Sequence, residues 1–441
     1  MSIVVKAGKA AKKLLKKAGL INNEHRVSYT RRIERIKTNK RICAMTFDDG
    51  PMNMPASPDR AAGRAMTELI LDALLKYNAH ATFDIVGTTE HNYPDKAGKL
   101  GSAAWGGVKF DHYPDIGRDN LGGALHAPHI VKRMLDEGHE LANHGYRHII
   151  FGKKPFVYGA RVHFEGIDEV CNDLTKLHEY IKDNFNYEIK LSRPPHYVDK
   201  IALGLTSYDA YSLMDYVYMA ASFDGGGWLP DMSTDESVAA DREIEAMTNV
   251  IRNALEADPD ALCGQIIFGK DGYNMAKRTP VAYALEKQLE ILDSYGYTVM
   301  SVSEMMKESP FADTGRECPD LDKLIKLAKT HAVAYTDNTL RLQNKMTYYE
   351  YAMLVCPKEI TVDKRIENIK RTGKFVSEYD TALEYAKKEG IISASAKGSD
   401  MLTQMTIGKS AYVSTDGFTR GEVLEKYASI TEISTHAPMA I

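Results

Sequence analysis

Two aspartates, Asp48 and Asp49, stand side by side where the apolar run ICAMTF ends and the turn residues Gly50-Pro51 begin. Neighbouring carboxylates repel, and no turn requires both. A divalent cation would let both remain ionised, because its charge outweighs their repulsion. Histidines that could share such a cation occur at His144 and His148 in ELANHGYRHIIF. A spacing of four puts both rings on one side of a helix or tight turn. Two imidazoles and a carboxylate, with positions left for water, suit zinc or a similar divalent ion. Further on, LSRPPHY supplies Arg193, His196 and Tyr197, and SFDGGGW supplies Asp224 and Trp228.

These residues are far apart in the chain, so the fold must bring them together. From residue 42 to about 307, short apolar runs alternate with amphipathic stretches. ICAMTF, ATFDIVG, HELANH, EIKLSRPP, DYVYMAASFD, LCGQIIFGKD and YTVMSV read as strands. GRAMTELILDALLKY, APHIVKRMLDEG, EGIDEVCNDLTKLHEYIKDNF, REIEAMTNVIRNALEA and PVAYALEKQLEILDSYG read as helices. Repeated βα units predict an α/β fold with parallel strands and outer helices, as an open sheet or a barrel. The charged residues fall at the C-terminal ends of the predicted strands, the rim on which parallel α/β folds build their sites.

TFDDGP, HGYRH, RPPHY and DGGGW, in that order, resemble the first four motifs of NodB-type polysaccharide deacetylases. The resemblance covers roughly residues 41–307. It implies a distorted (β/α) barrel with fewer than eight strands, and metal-dependent removal of acetyl groups from N- or O-acetylated sugars, N-acetyl preferred. By position, Asp48 is similar to the general base, and Asp49, His144 and His148 to the metal ligands. Arg193 resembles the arginine that orients the base, Asp224 the residue that holds that arginine, and Trp228 the wall around the acetyl methyl, with Tyr197 beside it on the substrate side. Zinc is the expected cofactor, with cobalt, nickel or manganese as alternatives. The expected partner is an acetylated polysaccharide or oligosaccharide.

The chemistry is coherent on its own terms. Attack on an amide carbonyl needs an activated water, and a bound divalent ion lowers the pKa of water towards about 7. A nearby carboxylate must take the proton, so Asp48 cannot also be a ligand. The departing amine needs a proton in turn. The resemblance would place a histidine near the end of QIIFGKDGY, but Lys270 stands there, followed by Asp271. Three readings stay open: Lys270 is the acid, His196 is the acid, or the site binds glycan without turning it over. A hydrolase of small non-sugar amides is a further alternative. Asp84 in ATFDIVG is a second departure, a carboxylate inside a strand that needs a partner or a pore-facing position. Gly145 is a third, standing where a hydroxyl residue is often found.

The chain has 441 residues, 44% hydrophobic and 26% charged, with net charge −4. That is ordinary globular composition and gives no reason to expect nucleic-acid binding. Residues 1–41 hold 13 Lys and Arg against 2 Asp and Glu. This basic extension (1–40) starts as a weak amphipathic helix, solvated or touching an anionic membrane surface. No apolar run is long enough for a membrane span, and no secretory signal is visible. By sequence the protein is expected in the cytoplasm or at a membrane periphery, by resemblance in the cell envelope. Five dispersed cysteines do not suggest a disulfide framework. An insertion at 88–125, rich in Gly, Asp, His and Tyr, reads as a functional loop or a surface insertion within the 41–308 domain.

After residue 308 a small all-α C-terminal domain is predicted. LAKTHAV (327–333) matches YAKKEGI (385–391), and Met346-Thr347 matches Met405-Thr406. Two repeats follow, at 309–356 and 372–430, that resemble S-layer homology modules through PFADT and AYTDNTLRLQNKMTYYE. The resemblance implies cell-wall contact, through a basic residue where Tyr348 and Ile407 stand here. Thr347 and Glu350 form a capping box at the start of a helix.

Overall fold

The computed structural model describes residues 25–56, 63–90, 120–153, 162–231, 233–272, 274 and 278–435. The basic helix expected near the start, and most of the 88–125 insertion, lie outside them.

Among the described residues, nine parallel strands form the first body: β1 (Arg32–Ile33), β2 (Ile42–Asp48), β3 (Thr82–Ile85), β4 (Glu140–Asn143), β5 (Leu191–Ser192), β6 (Val217–Met219), β7 (Phe223–Asp224), β8 (Ile266–Lys270) and β9 (Thr298–Met300). Their order is β1-β6-β5-β4-β3-β2-β8-β7, with β9 also against β2. Helices α1 (Met66–Lys76), α2 (Pro128–Asp136), α3 (Ile167–Phe185), α4 (Ser207–Met214), α5 (Glu236–Ala257), α6 (Pro280–Ser294) and α7 (Val302–Met306) connect or follow the strands.

DYVYMAASFD was expected to be one strand. It is two, β6 and β7, near opposite ends of the hydrogen-bonded order. Only residues 220–222 join them. So short a link spans about 13 Å at most, so the sheet must curl until its ends nearly meet. This is a distorted barrel whose strand ladder does not close among the described residues. β1 was not expected at all: it lies in the segment read as an extension and pairs with β6.

The pleat sorts β2 into two faces. Cys43, Met45 and Phe47 join the large core beneath the helices. Ile42 and Ala44 face inward, with Ala142, Leu191, Met219 and Ile266, and Val302 and Met305 of α7 join the same cluster. The next inward positions on β2 are Thr46 and Asp48. The interior is therefore apolar at one end and charged at the rim. All seven β2 residues are buried, which explains a near-continuous apolar run ending abruptly in acid.

The C-terminal region is helical, with α8 (Leu321–Leu327), α9 (Tyr348–Val355), α10 (Arg365–Thr372), α11 (Glu378–Lys388) and α12 (Arg420–Thr435). It is not all-α: β10 (Gln404–Ile407) and β11 (Ser410–Val413) form an antiparallel hairpin. The expected capping box opens α9, with Thr347 N donating to Glu350 Oε2 at 2.7 Å. Its proposed equivalent, Thr406, sits in β10 instead. The helix of the second unit starts at Arg420, where Thr419 N donates to Glu422 Oε2 at 2.6 Å. The rest of the hairpin lies between Thr406 and Thr419, so the threonine matched at constant offset does not open a helix. Phe311, Leu324, Tyr351, Ala386 and Leu424 share one core with Val27. Arg365 pairs with Asp209 of α4, both side chains buried, and so ties this region to the barrel.

Candidate metal centre

Each element delivers one piece of the site. Asp48 is the last residue of β2, and Asp49 follows it with φ 81. A non-glycine residue in the left-handed region is strained, and His148, His196 and Tyr197 share that conformation. Gly50 must be glycine: a Cβ there would run into the Asp271 carboxylate. His144 follows β4. Gly145 takes φ +88, and a Cβ on it would lie 3.2 Å from Asp173 Oδ2. Asp173 of α3 clamps the turn between the histidines, accepting from Tyr146 N at 2.7 Å and Arg147 Nε at 2.7 Å. Arg193 follows β5, and Lys270 ends β8.

The two aspartates have separate partners. Arg193 Nη1 donates to Asp48 Oδ1. Asp49 Oδ1 instead lies 3.3 Å from His144 Nε2 and 3.0 Å from His148 Nε2, and its Oδ2 lies 2.9 Å from Lys270 Nζ. One ligand atom each from Asp49, His144 and His148 falls within 4.8 Å of the others, and all three residues are buried. Neither ring nitrogen of His148 makes a hydrogen bond. Ligands on a tetrahedral zinc sit about 3.4 Å apart, given bonds near 2.1 Å. The separations and the unsatisfied imidazole both fit a divalent ion held by these three residues.

Burial raises the Asp48 carboxyl to about 6, against the pull of Arg193 and His144. Burial acts the same way on Asp49, but Lys270 and both histidines overcome it and hold Asp49 well below the usual carboxylate range. Burial would lower His144, yet Asp84 and Asp48 hold it well above the ordinary histidine value. Asp48 is thus the more basic of the neighbouring pair, and Asp49 the permanent anion.

Arg193 is fully buried. The expectation that Asp224 holds it is corrected. Arg193 Nε donates to Met219 O at 3.3 Å, and Nη2 to Ala220 O and Thr46 Oγ1, both at 3.1 Å. The Tyr197 ring lies 5.5 Å from the guanidinium. Asp224 is exposed, accepting from Gly226 N at 2.9 Å and Trp228 Nε1 at 3.0 Å. The reason is the β6–β7 split, which puts the Met219 and Ala220 carbonyls, not a β7 side chain, against Arg193. Trp228 lines a cleft of about 500 Å³ with Leu229, Pro230, Met247 and Val250. The His196 ring lies 4.9 Å from that of His148, on the same rim.

Sequence reasoning missed Asp173 and Thr46. For Asp173 a signal existed: it lies on the apolar face of α3 with Val170, Leu174 and Leu177, where a carboxylate needs a buried partner. Asp84 does find a neighbour, with Oδ2 2.7 Å from His144 Nδ1.

Residues 35–199 match the model of the polysaccharide deacetylase family. The matched segment carries Asp48, Asp49, His144, His148 and Arg193. The peptidoglycan-N-acetylmuramic acid deacetylase PdaC of Bacillus subtilis (strain 168) is 24% identical over 173 residues, 39% of this chain and 25% of that protein. The chain therefore spans a quarter of that relative's length. A peptidoglycan-N-acetylglucosamine deacetylase of Bacillus cereus is 24% identical over 276 residues, 62% of this chain and 91% of that protein. Among solved structures, the chitin deacetylase of Colletotrichum lindemuthianum aligns with a TM-score of 0.42 and 17% identity, over 63% of this chain and 92% of the other.

Proposed function

We propose that the chain is a divalent-cation-dependent deacetylase that hydrolyses N-acetyl groups on a polysaccharide or cell-wall glycan. One observation carries this reading: Asp48 and Asp49 are adjacent, yet one is held by Arg193 and the other faces two imidazoles. Base and ligand duties are thereby divided between two carboxylates, as hydrolysis of an amide by an activated water requires. The polysaccharide deacetylase match over 35–199 and the peptidoglycan deacetylases among the relatives support a glycan substrate.

Asp49, His144 and His148 would hold the ion, which supplies Lewis-acid polarisation and an acidified water. Asp48 accepts the proton of the attacking water, and Arg193 orients the carboxylate and favours its ionised form. The leaving amine takes a proton from the rim, where Lys270 Nζ and the His196 imidazole stand on different strand ends. Trp228 and its cleft offer an apolar surface to the sugar.

The lysine–aspartate contact, 2.9 Å from Lys270 Nζ to Asp49 Oδ2, favours a second reading: a glycan-binding protein whose ligand carboxylate is engaged by an ammonium. One experiment separates them. Chelated protein is reloaded with zinc, cobalt, nickel or manganese and given N-acetylated chito-oligosaccharides, peptidoglycan fragments and acetylated xylan. Acetate release that requires metal and favours the N-acetyl substrates supports the enzyme. Glycan binding without acetate at full occupancy supports the second reading.

A further inference from the structure

Two of the three departures noted in the sequence, Asp84 and Lys270, belong to one row of the sheet. In the β2–β3 ladder Asp48 registers with Asp84. In the β2–β8 ladder the same Asp48 registers with Lys270. Registered residues on neighbouring parallel strands project from the same face. Asp84 and Lys270 therefore flank the base at one level of the barrel interior, and each reaches a different metal ligand.

Asp84 stands behind His144. Its side chain is wholly buried, and neither carboxylate oxygen has a hydrogen bond. His144 Nδ1 makes its hydrogen bond to Arg193 O at 2.8 Å, and Asp84 Oδ2 presses on the same nitrogen at 2.7 Å. A buried carboxylate without a donor is costly, so its charge must be offset from nearby. Lys270 stands on Asp49, against the oxygen that does not face the histidines. A carboxylate behind a ligating imidazole makes it a stronger donor and adds attraction for a cation. An ammonium on the far oxygen of a ligating carboxylate draws charge away and repels the cation.

We propose that Asp84 and Lys270 set the affinity of this site for its divalent ion as an opposed pair, Asp84 raising it through His144 and Lys270 lowering it through Asp49. This rests on the reading that Asp49, His144 and His148 hold such an ion. With the histidines neutral, as ligation requires, Asp48, Asp49 and Asp84 face Arg193 and Lys270, a net charge of −1. Loss of Asp84 makes the cluster neutral, and loss of Lys270 makes it −2.

The test is zinc affinity of the chelated full-length chain by competition titration, together with the melting temperature of the metal-free protein. Asp84→Asn is expected to weaken zinc about 10- to 100-fold while the metal-free protein still folds and melts cooperatively. Lys270→Met is expected to tighten zinc about tenfold. The double variant is expected to return to within a few-fold of wild type. The proposal is overturned if Asp84→Asn stays within roughly threefold of wild type. It is also overturned if the metal-free Asp84→Asn protein melts lower and the double variant recovers nothing, which would mark Asp84 as merely structural. Zinc binding by wild type with unshifted variants sinks this inference alone. A wild type that binds no divalent ion sinks the site reading with it.

Discussion

Arg193 and Asp48, 145 positions apart in sequence, form a buried ion pair at the rim of the barrel. Arg193 also donates to two main-chain carbonyls and a hydroxyl, so the guanidinium plane is fixed and the carboxylate is held in turn. Asp48 is thereby anchored through Oδ1, and its Oδ2 lies 3.9 Å from His144 Nε2.

The pairing has a consequence for pH. The base must be ionised, and burial raises Asp48 to about 6 against the pull of Arg193 and His144. kcat/KM should fall as pH drops through the Asp48 value, with a bound cation moving that limb below about 6. Arg193→Lys keeps a charge but loses the planar set of donors. Its acid limb should move to higher pH, because a poorly held cation favours the anion less. Profiles of both proteins on one substrate test this, and an unmoved limb would detach Arg193 from the base.

The proton donor can be assigned by comparing two variants. General acid help is worth about 10² to 10⁴ in rate. Lys270→Ala is expected to lose acetate-release kcat in that range with little change in KM, and His196→Ala to lose less. The reverse order would assign the acid to His196. Occupancy must be matched by adding zinc, since Lys270 also touches Asp49.

Asp271 makes stability depend on pH. Burial raises its carboxyl to about 7, while the Thr67 hydroxyl, 2.7 Å away, and the Asp49 charge act in opposite directions. An unfolded aspartate titrates near about 3.9. The folded state therefore binds more protons between those values, and this group's contribution is lost as pH rises from about 4 to about 7. Asp271→Asn should flatten that part of the curve, by a few kcal/mol at most. Urea unfolding of the metal-free protein at several pH values reads it directly; parallel curves for the two proteins would refute it.

The C-terminal region should be tied to the barrel by Arg365. It pairs with Asp209 and donates to Thr361 O at 2.7 Å and Val376 O at 3.1 Å. Arg365→Met leaves Asp209 buried without its cation, at a cost of roughly 3–5 kcal/mol. A lower unfolding midpoint is expected, with zinc affinity unchanged. An unchanged midpoint would show that the pair adds nothing.

What the sequence determined by itself is local. A strand ending in Asp48-Asp49, two histidines four apart and a carboxylate on the apolar face of α3 are patterns of neighbouring residues, set by pleat and helical period. The βα alternation was readable for the same reason, since each unit buries its own face. The tertiary structure decided which distant groups meet. Strand order and register put Asp84 and Lys270 beside the one residue Asp48. The split of DYVYMAASFD gave Arg193 two carbonyls and left Asp224 to Trp228. The hairpin β10–β11 moved the second capping threonine to Thr419. Periodicity reports which face a residue takes on its own element. It carries no record of the neighbouring strand or of how far along it the partner lies, and at this rim those two quantities choose which residues flank Asp48.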